Sequence, residues 1–174
     1  MANQIQINRL TNANIYVDGN SMLGRAEEVN LPVIKHKMVD HKALGLVGVA
    51  EFWAGVDKME AKIKWNSFYP DAMKKAANPF KAVNIQVRSS LEVYGAGGRL
   101  EEQAVVCYMT AMYKDFPSGN FKQHDNVDVE SNLSVTYCKL VINGEEITEI
   151  DVLANIYKVN GEDLLANYRA NLGI

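Results

Sequence analysis

Alternation with a period of two dominates this chain. Met59, Ala61, Ile63 and Trp65 point one way, and Lys58, Glu60, Lys62 and Lys64 the other. Residues 57–65 are therefore predicted as a strand with one buried and one solvated face. Residues 82–94 repeat the pattern over a greater length. Val83, Ile85, Val87, Leu91 and Val93 form the apolar face, and Asn84, Gln86, Arg88, Ser90 and Glu92 the polar one. Residues 103–113 are apolar on both faces, as expected of a strand covered on both sides. Residues 133–142 and 145–152 flank Asn143-Gly144, which supplies the two positive-φ positions of a two-residue hairpin turn. Such a turn sets Leu140 opposite Ile147 and Tyr137 opposite Ile150. Asp18-Gly19 and Asn160-Gly161 mark two further turns, and 14–18, 22–31, 33–39 and 156–159 read as shorter strands.

Three stretches leave this rhythm. Residues 70–77 predict a short helix, with Pro70 in the first turn, Asp71 near the positive dipole end and Lys74 and Lys75 near the other. Residues 162–172 predict an amphipathic C-terminal helix, with Gly173 placed to cap it. Residues 41–55 carry Gly45, Gly48 and Gly55 yet are apolar: Leu44, Leu46, Val47, Val49, Phe52 and Trp53. An apolar loop of this length must be covered by something. It either crosses the core of its own chain or lies as an extended arm on a neighbouring molecule. The fold class expected is mainly β: an antiparallel β-sandwich or small barrel with one internal helix, a C-terminal helix and a long extended loop, in one domain over 1–174.

Composition narrows the function. The chain has 174 residues, 48% hydrophobic and 22% charged, with a net charge of −3. That is ordinary for a globular protein and gives no basic patch for sequence-specific nucleic-acid binding. No apolar run is long enough to span a bilayer, and the N-terminus lacks a secretory pattern, so no membrane anchor is expected and folding in a cytoplasm is. Catalytic, cofactor-binding and metal-ligating residues are all expected to be absent. His36 and His41 are an odd number of residues apart, which places them on opposite faces of a strand. Cys107 and Cys138 form no Cys-x-x-Cys motif; free buried thiols are the first reading, and a late disulfide between subunits is the second. The glycines at 95–98 are not followed by Lys-Ser/Thr or a helix, so they make no phosphate loop.

The chain resembles the major tail tube proteins of contractile-tailed phages and R-type bacteriocins. The resemblance rests on Asn14-Ile-Tyr-Val-Asp-Gly19, Glu27-Glu-Val-x-Leu-Pro32, Met59-Glu-Ala-Lys62, Tyr137-x-Lys-Leu-x-Ile-Asn-Gly144 and the ending Arg169-Ala-Asn-Leu-Gly-Ile174. It departs at Ala43-Leu-Gly-Leu-Val-Gly48, where the family has a Gly-Gly-Met-Asp-like stretch. The resemblance implies hexameric rings whose strands join into a continuous β-barrel tube. Its partners would be the tail sheath, baseplate and tape-measure proteins, a tail terminator, and DNA passing through without sequence-specific binding. The protein would belong to the virion tail after assembly in the host cytoplasm. Leu44, Leu46, Val47, Val49, Phe52 and Trp53 would form an arm between subunits or rings. Glu145, Glu146 or Glu149, or the polar face 84–92 with Asn84, Gln86 and Arg88, would line the lumen, where acidic residues would repel phosphates. A tube from a genome-free particle, such as a bacteriocin or a type VI-like system, fits the same residues. From a different class, a monomeric barrel binding a small apolar ligand would use 41–55 as its lid.

Overall fold

The fold is built around one strand that changes partners halfway along. In the computed structural model, which describes residues 5–121, 123–125 and 127–174, strand β9 (Val129–Ile142) pairs along one edge with β8 (Gly98–Tyr113). On its other edge it meets β6 (Met59–Trp65) over 129–135 and β10 (Glu145–Asp151) over 137–142. The switch falls at Thr136, which the register between β8 and β9 skips. An extra residue in one strand bends it and raises its twist. The half of β9 before Thr136 therefore curls back over the core while the other half continues the open sheet.

The sheet extends from β8 to β7 (Val83–Gly95) and β1 (Ile7–Val17), then to the two-residue β2 (Asn20–Ser21). Beyond β10 lie β11 (Ile156–Val159) and β12 (Glu162–Asp163). Strand β3 (Ala26–Asn30) pairs with β6 on the branch. All of these pairings are antiparallel. The core fills the space between the two arms of the branch. Ile15, Val17, Val83, Ile85, Cys107 and Met109 on one side meet Met59, Ile63, Trp65 and Leu133 on the other. Helix α1 (Pro70–Ala76) closes one end by burying Ala72 and Ala76, four residues apart on one helical face. Asp71 in its first turn is ion-paired to Arg25 at 2.6 Å.

Three expectations are corrected by this arrangement. The turn at Asn143-Gly144 has the positive φ values of 51° and 83° that its sequence requires. The hairpin register is nevertheless shifted: Leu140 faces Thr148 and Tyr137 faces Asp151, because Ile147 is an inserted bulge residue. The C-terminal helix α2 (Ala166–Leu172) starts later than 162, because Glu162 and Asp163 pair back onto β11 and the Asp163 carboxylate accepts the Leu165 N–H. The strand expected at 33–39 is displaced to β4 (His36–His41), and Ala50–Val56 forms its partner β5. The first reading of the cysteines holds: Cys107 and Cys138 are both free and buried, with their sulfurs 3.9 Å apart in one chain. A bridge between subunits, the second reading, would require pulling both thiols out of the core. The hydrogen bond to Cys138 and burial push the Cys107 thiol far above its ordinary pKa, away from the reactive thiolate.

Candidate functional site

Two surfaces gather the residues singled out in the sequence. The first is the arm. Residues 36–56 form a two-stranded ribbon, β4 with β5, that is hydrogen-bonded to no other strand among the described residues. Its tip turns at Ala43–Leu46, closed by the Leu46 N–H to Ala43 carbonyl bond at 3.3 Å, with Gly45 at φ 88°. A positive φ at the third turn position calls for glycine. Leu44 and Val47 are as exposed as in an extended chain, at 105% and 111%, and Leu46, Val49, Phe52 and Trp53 are exposed too. Phe52 and Trp53 belong to strand β5, not to a loop. His41 meets the Phe52 ring edge-on, while His36 stacks on Tyr157 and Trp53 lies 6.3 Å from the same ring. Tyr157 thus anchors the base of the ribbon and leaves its tip unsupported. A core-crossing segment does not describe the tip, whose Leu44, Leu46 and Val47 are exposed.

The second surface is the side of the sheet that faces away from the core. Residues paired across strands share a face. One row runs Tyr16, Gln86, Tyr108, Lys139, Glu149, Lys158. A parallel row runs Asn14, Arg88, Val106, Val141, Glu146, and another runs Asn84, Thr110, Tyr137, Asp151. Asn84, Gln86, Arg88, Glu146 and Glu149, separated by up to 65 positions in the chain, therefore lie on one surface. Glu145 does not join them. It pairs with Ile142, which shares the opposite face with Val105.

The electrostatics of this surface differ from the acidic wall expected. Glu146 is bound by Lys139 at 2.5 Å, and Glu149 by Lys158 at 2.8 Å and Lys139 at 3.7 Å. The Tyr137 hydroxyl donates to Glu149 at 2.9 Å. The Lys158 ammonium, with Tyr137 and Lys139 behind it, holds the Glu149 carboxyl below the usual glutamate range. Burial and the Glu149 carboxylate push the Tyr137 phenol up. Arg88, Lys139 and Lys158 stand against Glu146, Glu149 and Asp151, three charges of each sign. Where the sheet projects beyond the core, Arg9 and Arg99 likewise stand against Glu92 and Glu102, with Arg99 paired to both glutamates. The surface is polar, tyrosine-rich and close to neutral.

Along this sheet one edge is open. Only Tyr16 and Val17 of β1 are covered by β2, so the outward edge of residues 7–14 pairs with no strand among the described residues. Unpaired edges of this length template pairing with another chain.

A family model described as phage tail tube protein FII matches residues 7–173. The chain belongs to that family. Its tail tube relatives include the tail tube protein of Escherichia phage P2, 33% identical over 167 residues, which cover 92% of this chain and 94% of that protein. The major tail tube protein of Serratia phage KSP20 is 24% identical over 152 residues, 86% of each chain. The fold is also similar to a chain in the sheath–tube complex of an extracellular contractile injection system, PVC, in its extended state. The TM-score there is 0.54 at 11% identity, covering 75% of this chain and 86% of that one. A chain in the PVC sheath/tube terminator structure gives the same score and identity, covering 91% of that chain. This tail tube protein is a structural component of the virion. Sequence reasoning alone found the arm but missed that Asn84, Gln86, Arg88, Glu146 and Glu149 share one surface and Glu145 does not, because the register that joins them contains two bulges.

Proposed function

We propose that this chain is a non-catalytic, single-domain building block of the inner tube of a contractile phage tail. Copies join in hexameric rings, and the rings stack inside the sheath into a conduit that carries DNA into the host. The observation that carries this reading is the pairing of an unsupported apolar arm with an open strand edge in a family of tube proteins. The edge of β1 continues the sheet into a neighbour, so that ring closure leaves no edge exposed. Each added ladder bond contributes about 1 kcal/mol net, and repetition along a tube sums these into a rigid wall. The sheet face bearing Asn84, Gln86, Arg88, Glu146 and Glu149 is directed to the lumen, and the arm rests on an adjacent subunit or ring. Baseplate and tape-measure proteins start the tube, a terminator ends it, and assembly takes place in the host cytoplasm. Negative-stain microscopy with light scattering tests the reading. Rods with a regular ring repeat are expected, and a 19.4 kDa monomer at every concentration overturns it.

The likeness to an injection-system tube chain favours a second reading, a tube from a particle that carries no genome. Nuclease-protected DNA in purified particles separates the two: its presence supports the phage tail, and its absence the genome-free particle.

A further inference from the structure

Beside the base of the arm lies an open apolar groove of about 410 Å³. Trp53, Val56, Ile156, Tyr157, Leu165 and Tyr168 line it. Asp151 sits in the lining, where its carboxylate accepts the N–H groups of Leu153 and Ala154 at 3.0 Å. The groove joins segments more than 90 residues apart, held together by the contacts of Tyr157 with His36 and Trp53. Its size and composition match those of a site for aliphatic side chains.

We propose that this groove receives the tip of the arm, Leu44 to Val47, from a neighbouring copy of the chain. The inference rests on the tube reading above and names the receiving surface for the arm. Three observations select this occupant. The tip presents Leu44, Leu46 and Val47 to solvent with no cover from its own chain among the described residues. The tip cannot fill the groove of its own chain, because β4 is six residues long and holds it roughly 20 Å from the ribbon base that forms the groove wall. The charges also complement each other, with Lys42 beside the tip and Asp151 in the groove. Tip and groove lie at different places on each copy, so the contact is head-to-tail. Contacts of that kind generate closed rings or continuing stacks instead of isolated dimers.

Engineered cysteines test the contact. Val47→Cys protein and Leu165→Cys protein are mixed, assembled into rods and oxidised gently, with the native Cys107 and Cys138 left in place because both are buried. A disulfide-linked dimer is expected on non-reducing electrophoresis of the mixture and in neither protein alone. Rods without that dimer overturn the tip-to-groove contact while leaving the tube intact. Wild-type protein that forms no rods overturns the tube reading and this inference with it. Tyr168→Asp gives a second measure. Tyr168 is half exposed, so the variant is expected to melt like wild type while its rod yield falls at least tenfold. An unchanged yield overturns the proposal.

Discussion

Ser131 is a buried serine, 1% exposed, and it has a specific task. Its hydroxyl accepts the Trp65 indole N–H at 3.1 Å inside the core. Removing the acceptor leaves a buried donor without a partner, which costs about 1–3 kcal/mol. Ser131→Ala should accordingly lower stability by that amount in urea denaturation, with an unchanged m-value. Glu149 supplies a residue whose contribution depends on pH. Its carboxyl is held below the usual value near 4.5, so the stabilisation it provides is fully present above that pH. That stabilisation is lost as the pH falls through the lowered native value. Stability measured from pH 7 to pH 3 should fall through this window in wild type, and Glu149→Gln should flatten that part of the curve. Both residues show what sequence can convey. Trp65 was readable as inward-facing from alternation, but Ser131 as its partner was not, since 66 positions separate them and no periodicity marks a serine as buried.

At the scale of elements, the turns follow from local chemistry. Asn143-Gly144 adopts the positive φ pair its composition calls for. No atom lies within 4 Å of a Cβ placed on Gly144, so Gly144→Ala meets only the left-handed backbone penalty, about 1–2 kcal/mol. The melting temperature of the variant should fall accordingly, without aggregation of the native state. The strand faces were equally readable, because burial on one side imprints a period of two. The bulges at Thr136 and Ile147 were not, because a bulge is settled by how two strands meet and leaves no mark in either alone. The start of α2 was misread for a related reason: Glu162 and Asp163 suit a helix by pattern, but pairing with β11 overrides it. The arm was readable as an anomaly, an apolar run rich in glycine, and its ribbon form emerges only once β5 finds β4.

For the whole molecule, the arm tip lies outside the core, so the proposed assembly contact is expected to be separable from the fold. The core residues are Met22 and side chains of β1, β6, β7, β8, β9, β10 and α1, and the arm tip adds nothing to them. Replacing residues 42–49 by Asn-Gly should leave the melting temperature within about 2 °C of wild type. The same variant should stay monomeric by light scattering under conditions where wild type forms rods. A cooperative loss of the fold instead would show the ribbon to be part of the core. The groove proposed to receive the tip lay beyond sequence reading, since it needs Trp53 brought beside Leu165 from more than 90 positions away, through contact with Tyr157.

With this sheet face directed to the lumen as proposed, the balance of Arg88, Lys139 and Lys158 against Glu146, Glu149 and Asp151 has a consequence for transport. A wall that neither holds nor pushes phosphate gives a moving polyanion no sticking points and no barrier to climb. Travel through such a bore is governed by drag and driving pressure. Ejection timed in dilute and in concentrated sodium chloride, at matched osmotic pressure, should run at nearly the same speed.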